Sequence, residues 1–290
     1  MITVIGCGPA GVSAAIYACR SNLETRIVGT DQTSLATAER IENYYGFAQP
    51  ITGRELFAAG LAQAARLGCC IVNAEVHAIS FAGEGHGFRI FSSACEFQTD
   101  AIVLATGHQK ARLDVCGLAA FDGRGVSYCA ICDAFFFRGK QVAVIGNGGY
   151  AVAEARELLN VTQRVKILTN GLDAAVVRAS GIDFDAGKLK KITGDTRVRC
   201  VVFEDGRELE LDAVFVAVGV ASSTDLAKKL GILLEEDRIV IDDAGATNLP
   251  GVFAAGDCAN KLRQISCAVA GGTIAGLSAA RFVRGKELLQ

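Results

Sequence analysis

Short runs of consecutive apolar residues recur along the chain at Val4-Ile5, Ile102-Val103-Leu104, Val142 to Ile145, Val165 to Leu168, Val214 to Val218 and Val252-Phe253-Ala254. Runs this short, without polar alternation, suit strands covered on both faces, as in parallel sheets. Ala-rich helical stretches alternate with several of them, so the pattern predicts an α/β fold. Two of the strands lead directly into glycine-rich turns and then into Ala-rich helices: Val4-Ile5-Gly6-Cys7-Gly8-Pro9-Ala10-Gly11, with its helix over Ala10 to Cys19, and Val144-Ile145-Gly146-Asn147-Gly148-Gly149-Tyr150-Ala151. The chain therefore holds two Rossmann-like starts in a duplicated architecture, with no period of 20 to 50 residues. Gly83 to Gly87 separates two strand-like stretches and predicts a hairpin loop. Gln264 to Ala280 is free of charge but carries Gln, Ser, Thr and Gly, which predicts a buried helix rather than a membrane span of about 20 apolar residues.

Composition narrows the class. A chain of 290 residues holds about two domains at roughly 150 residues each. It is 51% hydrophobic and 21% charged, with 29 basic against 31 acidic side chains, which excludes disordered and collagen-like chains and the basicity of nucleic-acid binders. A net charge of −2 predicts no global attraction to nucleic acid or to an anionic membrane. Eleven cysteines at irregular spacing in a chain this long point to a reducing interior rather than a disulfide scaffold. Met1 to Ile5 already reads as a strand, with no basic and hydrophobic leader segments, so a cytoplasmic location is expected.

Gly6, Gly8 and Gly11 satisfy G-x-G-x-x-G between a strand and a helix, where the backbone can approach a pyrophosphate and the helix N-terminus supplies amides and a favourable dipole. A tight turn that binds nothing is the bland alternative. Asp31, about 20 residues on, is positioned as a ribose partner or as part of a turn. Gly146, Gly148 and Ala151 satisfy the G-x-G-x-x-A variant. The strand after that second helix ends in Thr169-Asn170-Gly171, which offers neither an acid for NAD nor an arginine for NADP, and the next arginine is Arg178. The second turn thus reads as a structural relic or as a weak nucleotide site. Cys129-Ala130-Ile131-Cys132 is the sole C-x-x-C, followed at once by Asp133. Such a pair can close a small disulfide ring whose reactivity a neighbouring group controls. Zinc needs about four ligands. Neither Cys69-Cys70 nor the isolated His77, His86 and His108 completes such a set, so no metal is expected, and two inert core cysteines remain the other alternative.

The order of these motifs resembles the low-molecular-weight thioredoxin reductases over the whole chain. The pieces that carry the resemblance are Gly6 to Gly11, Glu42-Asn43-Tyr44 with Gly46, Ala105-Thr106-Gly107, Cys129 to Phe136, Val252 to Asp257, Gly256-Asp257-Cys258 and Arg263-Gln264-Ile265. The resemblance implies non-covalent FAD held by a discontinuous domain, 1–111 with 219–290, and a shortened NAD(P)-type domain, 112–218, that bears the dithiol. It implies that Gly6, Gly8, Pro9, Ala10 and Gly11 cradle the pyrophosphate. Asp31, Asn43, Ala105, Thr106, Gly107 and Gly256 join the FAD site, with Asp257 at the ribityl region and Arg263, Gln264 and Ile265 along the flavin ring. It further implies Cys132 nearest the flavin, Cys129 attacking the disulfide of thioredoxin, Asp133 as acid/base, and a homodimer whose dithiol domain rotates.

NADPH-linked members of that family carry a His-Arg-Arg stretch and a further Arg where this chain has Thr169-Asn170-Gly171, and the interval from Leu168 to Val198 is short here. Without a cation for the 2′-phosphate, NADPH binding is doubtful. The chain accordingly looks more like the ferredoxin-dependent flavin thioredoxin reductases, with reduced ferredoxin the expected donor and NADPH or NADH the runner-up. An acidic ferredoxin would dock on basic residues, for which Lys188, Lys190, Lys191, Lys228 and Lys229 are candidates or simply a solvated face. Two rivals stand beside this reading: a flavin/dithiol redox sensor without turnover, and a reductase of another disulfide.

Overall fold

The computed structural model describes residues 1–31, 33–83, 87–107, 113–219 and 221–287; side chains at 131, 132, 286 and 287 also lie outside the described set. The middle of the Gly83 to Gly87 hairpin, His108 and the expected boundary at 111–112 fall outside it. The chain divides into two compact units, Met1–Gln109 with Ser222–Gln290, and Lys110–Ala221.

The first segment of unit 1 runs β1 (Ile2–Ile5), α1 (Pro9–Arg20), β2 (Thr25–Gly29), α2 (Gly53–Arg66) and β3 (Cys70–Asn73). It continues through β4 (Val76–Phe81), β5 (Phe88–Ser92), β6 (Glu96–Thr99) and β7 (Ala101–Leu104). Unit 2 holds β8 (Val126–Ser127), α3 (Ala130–Asp133), β9 (Val142–Ile145), α4 (Gly149–Leu159), β10 (Val165–Leu168) and α5 (Ala175–Ala179). It ends with β11 (Phe184–Asp185), β12 (Leu189–Gly194), β13 (Val198–Phe203), β14 (Glu208–Glu210) and β15 (Ala213–Val216). The chain returns to unit 1 through α6 (Ser223–Lys229), β16 (Leu234–Glu235), β17 (Arg238–Ile239), β18 (Val252–Ala254) and α7 (Ile265–Glu287).

Each unit is built on a five-stranded parallel sheet, in the order β18-β7-β1-β2-β3 in unit 1 and β11-β10-β9-β15-β8 in unit 2. The uninterrupted apolar runs are the middle strands: β1, β7, β9 and β15 are buried at every residue. This is the burial that a parallel sheet covered on both faces demands. Each sheet carries a three-stranded antiparallel companion, β4-β5-β6 in unit 1 and β12-β13-β14 in unit 2.

α7 differs from the sequence expectation in one respect. It is a continuous 23-residue helix, and by length and composition it is apolar enough to cross a membrane. Its glycines do not break it, because they serve packing. A Cβ at Gly272 would stand 2.1 Å from the Ala10 carbonyl oxygen and one at Gly276 2.3 Å from that of Ala14, so the two glycines let α7 lie directly on α1. Ala268, Ala275, Ala279, Ala280 and Val283 are buried in the core beneath.

Candidate functional site

In unit 1 the three glycines of the first fingerprint each meet a different constraint. Gly6 sits at φ +108°, and a Cβ there would fall 2.3 Å from the Ala105 carbonyl oxygen. At Gly11 it would fall 1.8 Å from the Gly6 carbonyl oxygen, whereas at Gly8 it meets nothing within 4 Å. The first glycine therefore closes the turn, the third lets helix and turn touch, and the second leaves an open approach to the backbone, as a bound pyrophosphate requires. Pro9 takes the first helical position, where its missing N–H costs nothing. Gly8 caps α1 with no side-chain acceptor and no acid lies in the first turn, whereas α2 and α6 begin with complete capping boxes, Thr52 with Glu55 and Ser222 with Asp225. The first amides of α1 are thus left for an anion. A cleft of about 570 Å³ opens beside Gly8 and Pro9 and reaches Tyr44 and Ile265.

Of the other residues expected at this site, Ala105, Thr106, Gly256 and Ile265 lie against the turn or the cleft. Ala105 and Thr106 close on Gly6, and Gly107 follows at φ +75°. Gly256 lies against Ala10, to whose Cβ its own would stand 2.9 Å away. Asn43 donates to Gln264 across 3.1 Å, joining two loops that are 221 residues apart. Arg263 is exposed, Ile265 opens α7, and the half-buried Asp257 follows β18. Asp31 is exposed just past β2, and its charge is felt at Cys7. Burial above all, with Asp31 adding, pushes the Cys7 thiol up to about 11, and its S–H donates to the Thr30 carbonyl at 2.7 Å. Burial likewise raises Cys258 to about 11. Both cysteines are core donors rather than nucleophiles.

In unit 2 the C-x-x-C opens α3 directly after the edge strand β8. Cys129 is 6% exposed and disulfide-bonded, while the nine cysteines outside the motif are free thiols. The side chain of Cys132 lies outside the described residues. Asp133 is fixed from below: buried Ser127 donates to its Oδ2 at 2.7 Å, and the same hydroxyl accepts the Cys129 N–H at 3.1 Å. Glu154 on α4, only 1% exposed, accepts the Ala130 N–H at 2.7 Å and so holds the first turn of α3. Its signal was present in the sequence as an acid four residues from both Tyr150 and Leu158, on the buried face of α4. Ser127 and Ser223 gave no such signal; Ser223 exchanges hydrogen bonds with Thr106 at 2.7 and 2.8 Å. Beyond α3, Phe135 and Phe136 are 71% and 74% exposed, with the Arg138 guanidinium 5.6 Å from the Phe135 ring centroid.

The second glycine turn repeats the first. A Cβ at Gly146 would stand 2.1 Å from the Ala217 carbonyl oxygen, Gly148 is open but for one atom at 3.8 Å, and α4 starts without a side-chain cap. The end of β10 is occupied by internal bonds. Asn170, at φ +53°, accepts the Leu189 N–H at 2.8 Å, and Thr169 donates to the Leu172 carbonyl at 3.2 Å. The structure adds cations that the sequence did not place there: the Lys188 stem packs beside Gly171, its ammonium paired with Glu204 at 2.9 Å, and Arg207 forks onto Asp185, the β11 neighbour of Leu168. Lys188, Lys190, Lys191 and Lys228 are exposed. Lys229 is corrected as a docking residue, because its Nζ is buried and its charge acts on His77.

Two Rossmann-like units, one with an open phosphate turn and the other with a C-x-x-C whose Cys129 is disulfide-bonded, define a flavin-dependent disulfide oxidoreductase. The chain belongs to the pyridine nucleotide-disulphide oxidoreductase family, whose model matches residues 1–272. Thioredoxin reductase of Listeria innocua is 34% identical over 309 residues, spanning 100% of this chain and 96% of its own. Among solved structures, the atypical thioredoxin reductase of Desulfovibrio vulgaris Hildenborough is 38% identical, at a TM-score of 0.90 over 98% of each chain. The ferredoxin-flavin thioredoxin reductase of Clostridium acetobutylicum is 31% identical, at 0.70 over 98% of each. Within the family this protein is an FAD-dependent thioredoxin-disulfide reductase.

Proposed function

We infer that the enzyme takes its electrons from reduced ferredoxin and passes them to thioredoxin through Cys129 and Cys132. The observation that carries the donor reading is the end of β10, where Asn170 and Thr169 are spent on internal bonds and Lys188, the cation beside Gly171, is paired with Glu204. The nearby arginine is engaged too: the Arg207 fork closes on Asp185, the β11 neighbour of Leu168, so among the described residues a 2′-phosphate finds no free bidentate cation there. The name of the Clostridium neighbour, which states ferredoxin dependence, supports the same donor. Exposed Lys190 and Lys191 on β12 offer an acidic donor a basic surface.

FAD, held by the Gly6 to Gly11 turn with Asp31, Asn43, the 105–107 segment, Gly256, Asp257 and 263–265, supplies a centre that takes electrons singly and delivers them as a pair. The chain's own residues do the thiol chemistry. The Cys129 thiolate attacks the thioredoxin disulfide and displaces one of its sulfurs; Cys132 then attacks Cys129, releasing the second sulfur and restoring the enzyme disulfide. Asp133, held by Ser127, hands over the protons. The exposed Phe135 and Phe136 form an apolar landing for the acceptor. Residues 1–111 with 219–290 act as the FAD domain and 112–218 as the dithiol domain, in a cytoplasmic homodimer; the nine free thiols fit a reducing compartment.

A second reading, with NADPH or NADH as donor, is favoured by the uncapped start of α4 and the open Gly148. Anaerobic flavin absorbance, followed on separate addition of NADPH, NADH and reduced ferredoxin with thioredoxin added last, decides between them. Bleaching by ferredoxin alone, followed by continuous reduction of thioredoxin, is the expected result. Prompt bleaching by NADPH refutes the donor reading, and a single equilibration without turnover turns the protein into a sensor.

A further inference from the structure

The residue between the first two glycines of the fingerprint makes the same kind of bond in both units. Cys7 in the first turn donates its S–H to the Thr30 carbonyl at 2.7 Å, and Asn147 in the second donates its side-chain amide to the Asp173 carbonyl at 3.1 Å. Each bond ties the glycine turn to the chain that leaves the second strand, but the two ties land differently. Thr30 directly follows the last residue of β2 and precedes Asp31, whereas Asp173 stands five residues past the end of β10. The unit 2 tie therefore passes over Thr169 and Asn170, which bond internally instead. The unit 1 tie has room made for it. Cys7 is buried on the wall of the cleft beside Gly8 and Pro9. A Cβ at Gly29, the last residue of β2, would stand 3.0 Å from both the Cys7 nitrogen and its sulfur, so bare backbone there lets the thiol pass and reach Thr30.

We propose that Cys7 is a positioning residue for FAD: its bond to Thr30 holds the end of β2, and Asp31 with it, beside the phosphate turn. That role rests on the Gly6 to Gly11 turn being the FAD turn, and it supplies what the glycines cannot. They set where a pyrophosphate approaches; the thiol sets where the acid for the ribose stands. Asp31 lies beyond Gly29, the last residue of β2 paired in the sheet, so the strand ladder does not place it. The Cys7 bond reaches the residue next to it. Its donor is permanent in the neutral range, because burial above all keeps the thiol protonated up to about 11, with the Asp31 charge adding. A serine in this position would make the same bond through its hydroxyl, whereas an alanine would leave the Thr30 carbonyl without it.

The holoenzyme is diluted serially, and the fluorescence of the FAD it releases gives a dissociation constant for wild type, Cys7→Ala, Cys7→Ser, Asp31→Asn and the double variant Cys7→Ala/Asp31→Asn. Cys7→Ala should weaken FAD by about three- to tenfold, the net worth of one hydrogen bond, while Cys7→Ser should stay within about twofold of wild type. A residue that only fills space predicts otherwise, since serine restores no more of the lost sulfur volume than alanine does. Asp31→Asn should also weaken FAD, and the double variant should bind no worse than the weaker single, because Cys7 acts through the segment that carries Asp31. Serine binding no better than alanine overturns the proposal, as do wild-type affinity in Cys7→Ala or Asp31→Asn and losses that multiply in the double variant. Gly8→Ala, measured alongside, separates the two levels. Undiminished FAD binding there removes the turn itself from the FAD site, whereas a loss there with none in Cys7→Ala removes Cys7 alone.

Discussion

The open space at Gly8 makes a prediction that separates binding from folding. At φ −72° and ψ −176° the residue is in a conformation that any L-residue adopts, and a Cβ there meets nothing within 4 Å. Gly8→Ala should therefore fold, with a stability change within about 1 kcal/mol and a stabilising contribution from the less flexible unfolded chain. The added methyl group occupies the approach that the pyrophosphate needs. Losing one or two charge-assisted hydrogen bonds at about 1.5–3 kcal/mol each weakens FAD binding by about tenfold to 10⁴-fold. Gly11→Ala is the contrasting variant: its Cβ would stand 1.8 Å from the Gly6 carbonyl oxygen, so backbone must move. Overpacking of that kind costs about 3 kcal/mol, or roughly 6–12 °C in melting temperature at about 2–4 °C per kcal/mol. The assay pairs the flavin-to-protein absorbance ratio after purification with the melting temperature of flavin-stripped protein. Full flavin occupancy in Gly8→Ala, or a melting temperature as low as that of Gly11→Ala, refutes the assignment of the turn.

Cys129→Ser should leave flavin bound and reducible while abolishing thioredoxin reduction; retained turnover in a coupled insulin-reduction assay removes Cys129 from its role. Asp257→Ala should loosen FAD by about tenfold to 100-fold, read as flavin lost during dialysis. Glu154→Ala leaves the buried Ala130 N–H without its acceptor, at about 1–3 kcal/mol, and Glu154→Gln, which keeps an oxygen, recovers most of the lost melting temperature; equal melting of alanine variant and wild type excludes the bond as a support of α3. Burial first, and the Lys229 charge second, hold the His77 imidazole below its ordinary 6.5. The unfolded chain then binds a proton that the folded chain refuses, so stability present above about pH 6.5 is lost as pH falls toward the folded value. Melting temperatures of His77→Gln measured from about pH 7.5 to 5.5 should show a flatter pH dependence than the wild type.

The parallel strands were legible because burial on both faces leaves an uninterrupted apolar run: Val142 to Ile145, Val165 to Leu168 and Val252 to Ala254 are β9, β10 and β18 to the residue. The antiparallel companions were not. β12 mixes Lys190 and Lys191 with buried Leu189 and Ile192, a pattern of neither period two nor continuous burial, because a bulge shifts its register against β13. The glycines of α7 argued only against a membrane span, because sequence shows glycine as a helix defect and cannot show the α1 carbonyls that require it. Lys229 looked like surface charge because its neighbour Lys228 is, yet one step along α6 turns it toward β4 and His77. Glu154 is the instructive omission: a charge on the apolar face of a helix is a departure from local consistency, and it falls beneath the redox motif.

The two glycine turns show where nucleotide selectivity is decided. Both have a tight first glycine, an open second one and a helix whose first turn has no side-chain cap, so the phosphate-facing half of the fingerprint is intact twice. They part at the end of the next strand. After β2, Asp31 is exposed and close enough for its charge to reach Cys7 in the turn. After β10, the chain instead enters a left-handed turn at Asn170 and Gly171, and the Asn170 oxygen is spent on Leu189. A ribose hydroxyl or 2′-phosphate arriving there must displace an internal hydrogen bond at about 1 kcal/mol and draw Lys188 away from Glu204. The glycine pattern therefore sets where a pyrophosphate can approach, while the second strand's terminus bears on which nucleotide stays, and after β10 that terminus is already engaged by internal bonds.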